Sequence, residues 1–284
     1  MRHLRRTLAA CALAALAIGV AGAASASATE YPLTGLPEIG RCVKAATPKT
    51  GEYRGPKCIA KQNAHEGEYN WLPGPGDKPG INPRLLGLTL ETTGKKQIKC
   101  EFAFLEEAAV TSGKEIKVKK LTLQGCIMVG TTFRCYSNPA ETGTIESTTA
   151  LNGEVGFIPG SKNAASPWVG LDLKPESELS KTLFEASCGE AKAPPVFQVA
   201  IEGSVIGRVK PLDKMVENNQ FELLYKQSGG VQIPTAFKEG VEDVLKQITT
   251  PILNPIEQKN EQVGLASIAE IATEESLEIR NRQK

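Results

Sequence analysis

From about residue 84 onward, apolar and polar residues alternate in runs of strand length, and clusters of Gly, Pro, Asn and Ser separate the runs. A period of two places every second side chain on the same face of a strand, so these runs predict amphipathic strands with one buried face. One polar face per strand is typical of antiparallel sheets. The predicted buried sets are Ile98, Cys100, Phe102 and Phe104; Ile116, Val118, Leu121 and Leu123; Val169, Leu171 and Leu173; Phe197, Val199 and Ile201; and Phe221, Leu223 and Tyr225.

Together the runs predict an all-β fold, an antiparallel β-sandwich or barrel-like structure stabilised by disulfides, with at most one or two short helices. An extra lysine at Lys119 and Lys120 shifts the alternation by one residue, which predicts a β-bulge or a change of sheet. The segment 237–248 has apolar residues at helical spacing but contains Gly240, so helix and strand are equally compatible with it.

The first 28 residues have the pattern of a secretory signal peptide. Three arginines precede an apolar run over residues 8–24, and small residues lead up to Ala28. A basic start, an apolar middle and a small-residue exit predict cleavage near Ala28 and a secreted, extracellular or cell-envelope location. Two alternatives have some support: Cys11 could end a lipoprotein box, and the adjacent arginines resemble part of a twin-arginine signal.

Beyond residue 28 we predict two parts, a Gly/Pro-rich, disulfide-clipped N-terminal lobe at 29–83 and a main β domain at 84–284. Removal of residues 1–28 lowers Lys+Arg to 33 − 3 = 30 against 32 Asp+Glu, which gives no electrostatic reason to expect a nucleic acid partner. No second stretch approaches the roughly 20 apolar residues of a membrane-spanning helix, so no transmembrane helix is expected after cleavage.

Six cysteines follow the predicted cleavage point, and an even number in an exported chain predicts three disulfides. The first preferred pair closes a local loop, the second joins neighbouring strands, and the third follows mostly by elimination. The preferred pairs are Cys42–Cys58, Cys100–Cys126 and Cys135–Cys188, and the rival arrangement joins Cys100 to Cys188 and Cys126 to Cys135.

Catalytic motifs are missing from the sequence. His65 is the only histidine after residue 28, in a polar stretch, and no nucleophile elbow, zinc-protease helix, phosphate loop or dinucleotide fingerprint occurs. We therefore expect no enzyme, no metal and no cofactor. Carboxylate chemistry stays open, because glycoside hydrolysis needs only two suitably spaced acids. The acids considered for it are Glu141 with Glu146 and Glu176 with Glu178.

Tyr69 and Trp71 precede a Pro-Gly-Pro-Gly run and are the candidate ligand-binding residues. A stiff aromatic turn could stack on a sugar ring or a Pro-rich peptide. The favoured interpretation is that Trp71 closes the small core of the N-terminal lobe, since buried aromatic residues most often simply pack. Trp168, beside a run of apolar residues, is also predicted to lie in the core.

The elements "LPEIGRCVK", "GEYRGPKC", "GEYNWLPGPG", "VGLDLKP" and "GSVIGRVKPLDKM", in this order, resemble a family of secreted, β-rich bacterial proteins of unknown function. The resemblance implies export and a β domain, and it implies no activity. We expect a secreted or cell-envelope, non-catalytic binding or structural surface module, with cell-wall polysaccharide or an envelope protein as partner. The alternative is a carbohydrate-binding module or a carboxylate-dependent glycoside-active enzyme.

Overall fold

The computed structural model describes residues 35–61, 66–159, 167–177, 179–216, 220–238 and 240–282. Most of these residues lie in β-strands, and every strand pairing is antiparallel, which confirms the predicted all-β class. The strands are β1 (Glu38–Lys44), β2 (Tyr69–Pro73), β3 (Ile81–Thr92), β4 (Gln97–Val110), β5 (Glu115–Gln124), β6 (Ile127–Met128), β7 (Arg134–Tyr136), β8 (Ile145–Glu146), β9 (Leu151–Phe157), β10 (Val169–Pro175), β11 (Thr182–Gly189), β12 (Phe197–Glu202), β13 (Val205–Lys210), β14 (Gln220–Ser228), β15 (Val231–Ile233), β16 (Ala236–Phe237), β17 (Val241–Glu242), β18 (Lys246–Pro251), β19 (Lys259–Thr273) and β20 (Glu278–Arg280).

Eight strands close into a ring, which we call the first closed sheet. Its order is β3-β4-β5-β9-β10-β13-β14-β19, and the pairing of β19 with both β14 and β3 closes it. A closed sheet leaves none of these strands as a free edge, and free edges are where foreign strands add.

A second closed sheet shares three strands with the first. Its order is β3-β4-β6-β7-β11-β12-β18-β19. The sharing works because β4 is long: its first residues pair with β6, and from Phe102 onward it pairs with β5. β19 divides in the same way, between β18 and β14. The interiors of both sheets belong to one continuous apolar core.

The N-terminal lobe forms a small sheet in the order β2-β1-β20, so a strand from the far end of the chain completes it. The predicted boundary between residues 83 and 84 falls inside β3, which continues from residue 81 into the closed sheets.

Three disulfides are present, and they join Cys42 to Cys58, Cys100 to Cys126 and Cys135 to Cys188, as in the preferred arrangement. Cys135 and Cys188 lie directly opposite each other on β7 and β11, so the bond joins paired strands. Three disulfides fit a protein that folds in an oxidising compartment. Among the described residues, no helix is both long and apolar enough to cross a membrane.

The predicted inward face of β4 is wrong beyond Cys100. Ile98 and Cys100 are buried, but Phe102 and Phe104 are exposed, and Ala103 points into the core instead. Glu101 and Phe102 are consecutive and both exposed, so the alternation shifts by one residue at this point. The sequence pattern of the strand could not reveal the shift. Phe102 and Phe104 follow Ile98 and Cys100 at every second position, so the apolar alternation looks uninterrupted.

The shift in alternation at Lys119 and Lys120 is present, but it occurs without the register shift of a β-bulge. Val118 lies opposite Ala108 and Lys120 opposite Glu106, while Lys119 and Glu107 take no place in the ladder. One residue is left out on each strand, so the register continues unchanged, and the lysine pairs with the carboxylate.

The segment 237–248, which was compatible with helix or strand, forms strand structure. Phe237 ends β16, Val241 begins β17 and Lys246 begins β18. Gly240 has a φ of 90°, a left-handed conformation that interrupts a helix and suits the turn of the β16–β17 hairpin. Within the described residues, helical structure is limited to a 3-10 turn at Pro255–Glu257.

Candidate functional site

Trp71 lies on β2 of the small N-terminal sheet and is half-buried. It lies opposite Cys42 on β1, and the guanidinium of Arg280 lies 4.3 Å from the centre of its ring. A Cβ at Gly40 would come within 2.3 Å of the indole, so only glycine allows this approach. The indole Nε1 is buried without a hydrogen-bond partner. These contacts favour the packing interpretation of Trp71, and Tyr69 is half-buried on the same strand.

Arg280 ties the end of the chain to the Cys42–Cys58 clip. Its guanidinium donates to Tyr53 Oη at 3.0 Å, to the Cys58 carbonyl at 3.2 Å and to Glu278 Oε2 at 2.9 Å. Arg280 and Glu278 are both buried, so the charges are paired and hydrogen-bonded away from water. Tyr53 and Trp71 therefore both contact the arginine of a buried ion pair, and these contacts close the lobe against β20.

Four connections lie together at one end of the second closed sheet, and we call them the four-loop surface. They are residues 93–96, 129–133, 190–196 and 252–258. The Val129 amide donates to the Gln97 carbonyl at 2.9 Å, and the Ile252 amide donates to the Val196 carbonyl at 2.9 Å. Strand pairing brings the loops to one end, since Phe197 at the start of β12 lies opposite both Cys188 and Pro251.

The four-loop surface exposes large aliphatic side chains. Leu253 is 97% exposed and Ile256 is 94% exposed, and Ile252 in the same connection is partly exposed. Isolated exposed apolar residues are common, but three in one connection indicate an interaction site. The sequence-based interpretation missed this group.

A signal for these residues exists in the sequence. Pro251 and Pro255 bracket Ile252 and Leu253, and Ile256 follows directly. Two prolines four residues apart prevent both a helix and a central strand, so the apolar residues between and after them have no regular element in which to be buried. Apolar residues inside a proline-bounded loop therefore predict exposure.

Asp172 is a second feature that alternation alone does not explain. Alternation along β10 places Asp172 on the face opposite Leu171 and Leu173, where exposure is expected, but it is only 3% exposed. Ser204 lies next to it and donates from its hydroxyl to Asp243 Oδ1 at 2.8 Å. Burial, and then the charge of Asp243, raises the pKa of Asp172 to about 7. One oxygen of Asp172 has no hydrogen-bond partner.

The segment that buries Asp172 is the β16–β17 hairpin with the residues after it. Phe237 packs with Ile158 and Ile206 in a small apolar cluster outside the main core, and a Cβ at Gly156 would come within 2.6 Å of the Phe237 ring. The Lys238 amide donates to the Phe157 carbonyl at 2.9 Å. The hairpin therefore covers the outer side of β9 and β10. It buries Asp172, which lies on that outer side.

Trp168 was predicted to lie in the core, and this is wrong. Its indole is 37% exposed and stacks on the Arg208 guanidinium, 4.1 Å from the ring centre. Its neighbour Val169 points inward. Alternation therefore turns the adjacent Trp168 outward, where a cation–π contact holds the indole.

Two of the acids considered for carboxylate chemistry, Glu141 and Glu146, line the same groove outside the sheets. Glu146 binds Lys120 at 2.6 Å and Glu176 binds Lys117 at 2.5 Å. Glu178 and His65 lie outside the described residues. Over the described part of the chain, no three His, Cys, Asp or Glu side chains converge as metal ligands.

The core itself offers little room for a ligand. An apolar cavity of ≈ 60 Å³ lies between the two closed sheets, lined by residues such as Leu88, Leu171 and Leu223. Ligand pockets are typically several hundred Å³. A groove of ≈ 800 Å³ runs outside the sheets past Lys174, Glu202 and Asp243, and no aromatic residue lines it.

Searches of protein-family models, of curated proteins and of solved structures gave no match to this chain. A proposal for its function therefore depends on the surfaces described above.

Proposed function

We propose that the protein is an exported, non-catalytic binding module that works at the cell envelope through the four-loop surface. Export is inferred from the predicted signal peptide, and the three disulfides are in keeping with export. The observation that carries the binding role is the exposure of Leu253 and Ile256, at 97% and 94%, on a connection held by hydrogen bonds.

A folded connection is important to this argument, because a binding surface must hold its shape. Asn254 Nδ2 donates to Glu257 Oε1 at 2.8 Å, and the Glu257 amide donates to the Asn254 carbonyl at 3.1 Å. Both apolar side chains are thus presented by a turn whose own polar groups bond each other. Such preorganisation lowers the entropy that binding would otherwise cost.

Catalysis is no part of this proposal. Of the acids considered for carboxylate chemistry, Glu146 and Glu176 are each paired with a lysine, which supports a non-catalytic role. The carbohydrate-binding alternative through Tyr69 and Trp71 stays a prediction, and the packing of Trp71 against Arg280 leaves its ring less available for stacking on sugar.

Retention on isolated cell envelopes tests the proposal. The wild-type protein is compared with the double variant Leu253→Ser/Ile256→Ser and with Leu179→Ser, whose leucine is 99% exposed in a different loop. We expect wild type and Leu179→Ser to be retained and the double variant to be lost. Equal retention of all three proteins, or retention of none, would contradict the proposal.

A further inference from the structure

An open groove of ≈ 460 Å³ lies on the outer face of β4, β5 and β8, and we call it the β4–β8 groove. Phe104 on β4 lies opposite Thr122 on β5, which in turn lies opposite Glu146 on β8. Leu121 and Leu123, on either side of Thr122, belong to the core, so alternation turns the three groove residues outward. A volume of several hundred Å³ is typical of sites for small molecules.

The connection between β7 and β8 contributes the rest of the groove lining, and hydrogen bonds fix its backbone. The Ser137 amide donates to the Thr144 carbonyl at 2.9 Å, and the Thr144 amide donates to the Glu141 carbonyl at 2.8 Å. The Cys126 amide donates to the Gly143 carbonyl at 2.9 Å. A lining that holds its shape before a ligand arrives lowers the entropy that binding would otherwise cost.

Two exposed aromatic rings lie side by side on β4 at this groove. Phe104 lines the groove, and the centre of its ring is 6.4 Å from that of Phe102. Both rings are exposed, although two adjacent phenylalanines in water form an apolar patch of the kind that ligands cover. The flat, electron-rich face of an aromatic ring suits the C–H groups on the face of a sugar ring.

The polar groups of the groove suit a ligand rich in hydroxyl groups. The lining provides the amide of Gln124, the hydroxyl of Thr144 and the carboxylates of Glu106 and Glu141. Thr122 is also in the lining, and its Oγ1 is buried without a hydrogen-bond partner among the described residues. A sugar hydroxyl both donates and accepts, so it can bond to acceptors, donors and groups that do both.

The charges at the groove favour a neutral ligand. Among the described residues, none of those that line the groove is basic. Two cations flank it, and each has an acidic neighbour: Lys120 binds Glu146 at 2.6 Å, while Arg84, opposite Phe104, also lies opposite Glu270. An anionic ligand would meet the groove carboxylates, and the flanking cations reduce the attraction for a cationic one.

We infer that the β4–β8 groove binds a neutral saccharide, with a sugar ring against Phe104 and its hydroxyl groups bonded to Gln124 and Thr144. The inference goes beyond the proposed function and concerns residues outside the four-loop surface. An open groove with one lining ring gives weak binding, so on its own it does not hold the protein on washed envelopes.

Affinity electrophoresis in native gels tests the inference. Each gel contains one neutral polysaccharide, which is hydroxyethyl cellulose, glycogen, galactomannan or arabinoxylan, and a further gel contains the anionic polygalacturonate. We expect at least one neutral polysaccharide to retard the wild-type protein more strongly than polygalacturonate does. The variant Leu253→Ser/Ile256→Ser should be retarded like wild type, so the result is independent of the four-loop surface.

Substitutions in the groove locate the binding. Phe104→Ala should lower the affinity read from the retardation about ten-fold, and Phe102→Ser is a second variant at the same rings. Trp168→Ala removes an exposed indole outside the groove and should leave retardation unchanged. Thr122→Val should weaken retardation without lowering the thermal midpoint, because the hydroxyl it removes has no partner among the described residues.

Three results would overturn the inference. The first is retardation of wild type by none of the four neutral polysaccharides, and the second is equal retardation of wild type, Phe104→Ala and Phe102→Ser. The third is stronger retardation by polygalacturonate than by every neutral polysaccharide. If no polysaccharide retards the protein but fluorescent tetralysine binds wild type and not Phe104→Ala, the ligand is a basic peptide and the saccharide inference is wrong.

Discussion

Replacement of Asp172 by asparagine should remove a pH dependence of stability that the buried carboxyl creates. In the folded protein, burial and then Asp243 raise its pKa from 3.8 to about 7, with Glu154 adding to the shift and Ser204 and Lys174 opposing it. A raised pKa means that the folded state holds the proton more tightly than the unfolded chain. The stabilising contribution is therefore complete below about pH 4 and is lost as the pH rises through about 7.

The size of the effect follows from the shift. A rise from 3.8 to about 7 corresponds to roughly 4 kcal/mol of unfolding free energy lost between the two pH limits. Asparagine is neutral at every pH and nearly the same shape, so Asp172→Asn should lack this loss. At pH 8 the variant should be more stable than wild type by up to roughly 4 kcal/mol, and at pH 4 the two should be close.

The assay is urea unfolding with intact disulfides at pH 4, 6 and 8, followed by tryptophan fluorescence. All other titrating groups are common to the two proteins and cancel in the difference between them. Asp243→Asn serves as a second variant: removal of the neighbouring charge should move the pH-dependent loss to lower pH. A difference between wild type and Asp172→Asn that stays constant from pH 4 to pH 8 would refute the reasoning.

Three further substitutions probe the fold. Arg280→Met should lower the unfolding free energy by about 3–5 kcal/mol in chemical denaturation, because it removes the buried guanidinium that pairs with Glu278; a loss below 1 kcal/mol would speak against a structural ion pair. Phe237→Ala should cost about 3 kcal/mol and increase proteolysis of the β16–β17 hairpin, and unchanged proteolysis would contradict its role in holding the hairpin. Phe102→Ser should change the thermal midpoint little, since the ring is exposed. A large fall in the midpoint would instead indicate that the Phe102 ring is buried in the core.

Strand periodicity could predict the fold class but not the ring closures. Runs such as Val169 to Leu173 alternate as strands do, and the structure buries the apolar residues of that run. Closure of two sheets through β19 depends on pairings between residues far apart in sequence, for example Leu224 with Ile268, and a local pattern carries no information about them. The disulfide pairs could be predicted from the sequence because only six cysteines follow the predicted cleavage point.

The wrong predictions of burial have a common physical origin. The alternation along a strand does not show which other segments pack on its outer face. Asp172 and Trp168 occupy outward positions of the same run, and alternation alone makes both outward positions equivalent. The β16–β17 hairpin covers one of them and leaves the other half open, so Asp172 is buried and Trp168 is not. Leu253 and Ile256 were missed for the converse reason: apolar character suggested burial, while the flanking prolines exclude any element that could provide it.

The central claim is that the protein binds through the four-loop surface, and side-chain footprinting with hydroxyl radicals tests it most directly. The protein is labelled alone and while bound to isolated cell envelopes, and the labelled positions are read by mass spectrometry. We predict that Leu253 and Ile256 become protected on binding, while Leu179 and Trp168 are labelled equally in both states. Protection of Tyr69 and Trp71 with unchanged labelling of Leu253 and Ile256 would contradict the account and move the binding site to the N-terminal lobe.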